Sequence, residues 1–133
     1  MLIGTGIDII RISRLRQTLH RFGDRFLQRV FTPGERAYCA RKRDAVPSLA
    51  ARFAAKEAVF KAVGGTRRPA WRDIEVYNEP SGKPGIRLLG RMAHHQDRVR
   101  TALALSHDGD LAVASVVVET PLSPPSGHAG KEP

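Results

Sequence analysis

From Ile12 on, the hydrophobic pattern of this chain keeps a helical period until Gly64-Gly65 and then alternates, and that change restricts the fold more than any other feature of the sequence. Before it, Ile12, Leu15, Leu19, Phe22, Phe26, Leu27 and Val30 recur at intervals of three and four, which predicts helix over 12–30 with a break near Gly23. "TPGE" at 32–35 places Pro at a first helical position and Glu three residues after Thr, a capping box that opens a short helix. Asp44 to Pro47 reads as a linker, and Ser48 as the cap of a long helix, "SLAARFAAKEAVFKAVGG", which the two glycines close. After them the period is two. "DIEVYN" (73–78), "GIRLLG" (85–90), "RTALALS" (100–106) and "LAVASVVVE" (111–119) predict strands, with an Asp-Gly hairpin signal in "HDGD" at 107–110 and a short helix over 92–98. The opening segment, residues 2–10, reads as one further strand. The expected class is α+β: one strand, then helices, then an antiparallel meander that the helices cover.

At 133 residues the chain suits one domain, assigned to 1–120, and from Pro121 the composition falls to Pro, Ser, Gly and charge, the mark of a disordered tail over 121–133. No apolar run is long enough to span a bilayer and the N-terminus lacks a signal-peptide pattern, so a cytoplasmic protein without a membrane partner is expected. Cys39, the one cysteine, has no partner for a disulfide and no zinc spacing around it, and reads as a small packed side chain. Charge is uneven: residues 1–72 carry 16 Lys and Arg against 5 Asp and Glu, residues 73–133 carry 6 against 8. The front half therefore expects an anionic partner, be it nucleic acid, an acidic protein or a phosphorylated small molecule.

Two acidic residues stand where apolar ones are expected. On the first strand Asp8 shares a face with Gly4 and Gly6, and alternating glycines in a strand signal that something approaches the backbone closely. Asp8 either marks the strand end or belongs to what approaches. In the long helix Leu49, Phe53, Phe60 and Val63 form the apolar stripe, and Glu57 lies about 40° from its centre at 100° per residue, with Lys56 beside it. An exposed Glu57–Lys61 pair at i,i+4 is the plain reading, but it leaves the angle unexplained. Two carboxylates on separate apolar elements, with Arg52, Lys56 and Lys61 nearby, match what magnesium requires: one or two carboxylates, substrate phosphate oxygens and water. No Walker-type loop is present, which speaks against a nucleotide hydrolase. His107 stands at a strand end, either merely exposed or within reach of a ligand. His20, His94, His95 and His128 show no usable spacing, and Trp71 and both tyrosines read as packing. Arg14, Arg21 and Arg25 recur along one face with Asp24 the lone acid from 11 to 30, which makes either a solvated surface or a docking surface for an acidic partner. With 6% aromatic residues, and none among those arginines, base-stacking platforms are poor.

"GTGIDIIRISRL" (4–15) and "RFAAKEAVFKA" (52–62), followed by "DIEV" (73–76), "SGKPGI" (81–86) and "ALSHDGDLAVASVV" (104–117), resemble the small bacterial holo-acyl-carrier-protein synthases of the 4′-phosphopantetheinyl transferase superfamily, in order and spacing over about residues 1–119. The resemblance implies a magnesium-dependent transfer of phosphopantetheine from coenzyme A to a serine of apo acyl carrier protein, releasing adenosine 3′,5′-bisphosphate. Carried across by position, Asp8 and Glu57 are the metal ligands, and with Lys61 by the phosphates they form the catalytic set. The base that takes the serine proton is left open between Lys61, Glu57 and a metal-bound water. Arg52 and His107, with neighbouring Ser106, correspond to contacts with the coenzyme's 3′-phosphate, and the Gly82-Lys83-Pro84 turn to its pocket wall. Arg14, Arg21 and Arg25 correspond to the helix that docks the carrier protein. A homotrimer with each site at a subunit boundary is implied, and Lys56 is expected to reach along its stripe to solvent or to a neighbouring subunit. The loop "GGTRRPAW" (64–71) is more basic than the resemblance predicts, and the residues after Thr120 have no counterpart. The rival reading is a basic nucleic-acid-binding module without catalysis, resting on the charge of the front half; on the transferase reading no nucleic-acid partner is expected, and the acid pair is the feature that separates the two.

Overall fold

Strand β1 (Leu2–Arg11) is the piece on which the rest is assembled. In the computed structural model, which describes residues 1–64 and 68–121, it pairs antiparallel with β5 (Leu111–Glu119), and β5 pairs antiparallel with β4 (Arg100–Asp108), giving a three-stranded sheet in the order β1-β5-β4. Two further strands, β2 (Ile74–Asn78) and β3 (Pro84–Leu88), form a separate hairpin. The expected meander is thus divided between two sheets: β5 already has a neighbour on each edge, and a 3₁₀ segment, Gly90–His95, turns the chain away after β3. That segment also replaces the helix expected over 92–98. The tail, from residue 122 on, and Gly65 of the helix-closing pair lie outside the described residues.

Helices α1 (Ile12–Phe22) and α2 (Asp24–Val30) divide at Gly23, whose φ of 59° breaks the helix where the sequence suggests. Helix α3 (Pro33–Ala40) opens on the Thr32–Glu35 capping box. Helix α4 (Val46–Val63) begins two residues before the expected cap. Pro47, with φ preset for helix, belongs to its first turn, and Asp44 accepts the Val46 N–H at 3.1 Å, so Ser48 is inside the helix.

Helix α4 is the centre of the molecule, buried on nearly every side: Leu49, Ala50, Ala51, Ala54, Ala55, Ala58, Val59, Phe60 and Ala62 are all in the core. It lies on the inner face of the three-stranded sheet, where Gly4, Gly6, Asp8 and Ile10 of β1 align with Val118, Val116, Ala114 and Ala112 of β5. A Cβ on Gly6 would stand 1.8 Å from the Ala58 carbonyl oxygen, and one on Gly4 2.0 Å from that of Ala62. The alternating glycines therefore let the helix backbone rest on the strand backbone, and the residue that follows them on that face is Asp8. Across the sheet the outer face is left open: Ile7, Ile9, Leu111 and Val117 are exposed.

Candidate active site

The helix-on-strand contact decides where the charges go. Because small residues pack α4 from several sides, its open line runs along Phe53, Glu57 and Lys61, spaced by four, and not along the side opposite the predicted stripe. Phe53 is only partly buried and Val63 is exposed, so the expected stripe does not describe the packing. Glu57 thus lies at the edge of the core facing outward, beside the strand that carries Asp8. The two carboxylates line one cleft of about 310 Å³, together with Arg14, Thr18, Phe26 and Phe53.

Each acid is met by a cation. Lys61 Nζ lies 3.1 Å from Asp8 Oδ1 and donates to the Ile7 carbonyl at 2.9 Å, which ties helix to strand beside Asp8. Arg68 Nη2 lies 3.0 Å from Glu57 Oε1, with its guanidinium carbon 4.2 Å from the centre of the Phe60 ring and 5.3 Å from that of Trp71. Both cations are more than half exposed, so these pairs hold geometry rather than stability.

Lys56 behaves otherwise than expected: it is fully buried, reaching neither solvent nor a subunit surface. Its Nζ lies 2.8 Å from Glu35 Oε1 and donates to the carbonyls of Trp71 and Ile74. Glu35 in turn accepts the Thr32 and Val76 N–H groups at 2.9 and 2.7 Å. Burial pulls the Lys56 amine below its ordinary range and the Glu35 charge pulls it back up. This pair clamps α4, α3 and β2 together, and the sequence reading missed Glu35 because it assigned that side chain only to the capping box. Arg68 was also missed as a site residue; the unusual charge of its loop was the available signal.

The remaining expected residues form a second group. Arg52 is buried, stacks on Tyr38 and donates to Asn78 Oδ1, while Asn78 Nδ2 donates to the Gly82 carbonyl at 3.0 Å. Arg52 is thereby joined to the turn that carries Gly82, Lys83 and Pro84, and its Nε is buried without a partner. Ser106 and His107 are exposed at the end of β4, where His107 faces the same side as Ala112 and Ile10, and Ser106 the opposite side. None of these residues lines the cleft of Asp8 and Glu57. Within one chain, then, the expected site is in two parts. Arg14, Arg21 and Arg25 are exposed, and of them only Arg14 reaches the cleft.

The model of the 4′-phosphopantetheinyl transferase superfamily matches residues 4–116. The chain belongs to that superfamily. Among its relatives within it, a holo-[acyl-carrier-protein] synthase of Koribacter versatilis is 47% identical over 124 residues, covering 90% of this chain and 99% of that one. The crystal structure of the Neisseria meningitidis synthase superposes with a TM-score of 0.80 at 34% identity, over 90% of this chain and all of that one. The Helicobacter pylori synthase, solved in complex with coenzyme A, gives 0.76 at 34% identity, over 86% and 99%. The α+β architecture with antiparallel sheets is thus that of the superfamily's synthases, as the sequence resemblance implied.

Proposed function

We propose that the chain is a holo-[acyl-carrier-protein] synthase: it transfers 4′-phosphopantetheine from coenzyme A to a serine hydroxyl of apo acyl carrier protein and releases adenosine 3′,5′-bisphosphate. The observation that carries the proposal is the shared cleft of Asp8 and Glu57, two carboxylates brought from β1 and α4 by a glycine-lined contact, in a chain of this superfamily.

The donor set fits magnesium. Among the described residues no three His, Cys, Asp or Glu side chains gather into a protein cage, and a pair of carboxylates open to water is what this ion takes alongside substrate phosphates. Asp8 and Glu57 would hold the ion, and a bound ion would supply positive charge to the coenzyme's diphosphate. Lys61, fixed by Asp8 and the Ile7 carbonyl, keeps an ammonium beside Asp8, where it orients the diphosphate and the attacking hydroxyl. Arg52 and His107, with Ser106, take the 3′-phosphate, and the Gly82-Lys83-Pro84 turn walls the pocket.

These groups come to the cleft from a neighbouring copy in a homotrimer, for which the uncovered apolar face of the three-stranded sheet supplies the contact. Arg14, Arg21 and Arg25 dock the acidic carrier, with Arg14 leading the serine into the cleft. The enzyme works in the cytoplasm, and among the described residues no helix is long and apolar enough to cross a membrane. Nucleic acid is not its partner: the acid pair has no use in backbone binding. The test is a transfer assay. Apo carrier protein, coenzyme A and magnesium with this chain are expected to yield one phosphopantetheine mass on a single carrier serine. Asp8→Asn and Glu57→Gln are expected to abolish it, and an unmodified carrier beside an active control synthase refutes the assignment.

A further inference from the structure

The loop after α4 contributes an arginine that the proposed chemistry leaves unused. Arg68 is the only described cation on Glu57, and it makes no other ion pair among the described residues. Its perch is built. The guanidinium sits over Phe60 and Trp71, two rings that themselves pack at 5.1 Å, so a change of its partner is felt at the Trp71 ring. Pro69 follows, which keeps the Arg68 backbone extended and limits how far the side chain can wander. Lys61 differs, because the Ile7 carbonyl anchors it as well as Asp8. Of the two cations facing the acid pair, Arg68 is the one free to exchange partners.

Charge then sets the order of events. The charged lining of the cleft is Asp8, Glu57 and Arg14, and with Lys61 and Arg68 paired to the two acids the sum is +1, so the cleft does not attract a divalent cation while both pairs are closed. Arg68 bonds Glu57 through Nη2 alone, and a planar guanidinium that moves from the carboxylate to a diphosphate can offer two donors at once, which a lysine cannot reproduce. We infer that Arg68 is a stand-in cation: it occupies Glu57 while no divalent ion does, and turns to the phosphates of coenzyme A once the ion has replaced it. The inference rests on the acid pair being the metal site, and makes Arg68 a positioning residue that couples ion entry to coenzyme binding.

The test uses the full chain and Mg²⁺ itself, titrated by calorimetry and by the emission of Trp71, the only tryptophan. Release of the guanidinium from the ring changes that emission in the wild type, and Arg68→Ala abolishes the change. With its competitor removed, Arg68→Ala binds Mg²⁺ about two- to fivefold more tightly, the range of an exposed ion pair. Its KM for coenzyme A rises about tenfold, as for one lost charge-assisted hydrogen bond, with kcat within about twofold of wild type. Arg68→Lys is expected to restore the ion competition but only part of the coenzyme affinity. Weaker Mg²⁺ binding by Arg68→Ala, wild-type values for both constants, or Mg²⁺ binding by neither protein overturns the inference. Glu57→Gln separates the two failures: if that variant binds Mg²⁺ as tightly as wild type, the acid-pair reading itself falls.

Discussion

Gly6→Ala adds one methyl group and is expected to damage both the fold and the site. The new Cβ would sit 1.8 Å from the Ala58 carbonyl oxygen and 2.7 Å from its carbon, all backbone of α4, where 3.0 Å is the closest approach such atoms make. No side chain can swing aside, so helix and strand must part by roughly 1 Å, against the resistance of a core packed at crystal-like density. Ala54, Ala55, Ala58, Val59 and Ala62 all belong to that core, and overpacking of this kind costs about 3 kcal/mol or slightly more. For a domain of this size that lowers Tm by about 10 °C. Because Asp8 rides on the strand and Glu57 on the helix, the same displacement separates the two carboxylates, and about 10²-fold in kcat/KM is the expected loss. Calorimetric melting and the carrier mass-transfer assay read the two effects. Thr5→Ala, one residue away on the open face, serves as the control and is expected within about 0.5 kcal/mol of wild type. A Gly6→Ala protein with wild-type Tm and wild-type turnover would refute the close-contact argument.

Lys56→Met strands the buried Glu35 carboxylate and is expected to cost about 3–5 kcal/mol in urea unfolding, of which Glu35→Gln in the same chain recovers part. Arg21→Glu with Arg25→Glu should raise KM for the carrier by about tenfold at low salt, leave kcat unchanged and flatten the salt dependence, as for charges that steer a docking partner. Stability should fall on acidification. Ser13 holds the Asp110 carboxyl below its ordinary range through bonds from its hydroxyl and N–H, and Arg16 and the Val46 N–H do the same for Asp44. The unfolded chain therefore binds these protons at a higher pH than the folded one, near 4, and the stabilisation present above that pH is lost as pH falls through the depressed folded values. Tm measured against pH should show a shallower acid limb for Asp110→Asn.

What the sequence made readable was periodicity and turn chemistry. The strands of the second half, the Thr32–Glu35 capping box, the break at Gly23 and the close approach at Gly4 and Gly6 all follow from local rules that the folded chain obeys. The reading failed on α4, because a wheel that scores large apolar side chains overlooks alanines. In this helix Ala50, Ala51, Ala54, Ala55, Ala58 and Ala62 define the packed sides, so Lys56 turned out to be in the core and Glu57 on the open line, the reverse of what the stripe implied. The Glu35–Lys56 clamp joins residues far apart along the chain and leaves no local trace. Neither does the Arg52–Asn78–Gly82 chain of bonds, which requires β2 to be in place. Asp8, Glu57 and Lys61 were named as a set through the resemblance, and the structure places Lys61 on Asp8 and puts Asp8 and Glu57 in one cleft; Arg68 was visible only as an excess of charge in its loop.

One ion shared by two carboxylates is the centre of the proposed chemistry. A crystal structure of this chain with coenzyme A and Mg²⁺ tests it most directly: Asp8 and Glu57 are expected to ligate the same ion together with oxygens of the coenzyme's diphosphate. An ion absent from the cleft, or one held by only one of the two side chains and away from the diphosphate, would contradict it.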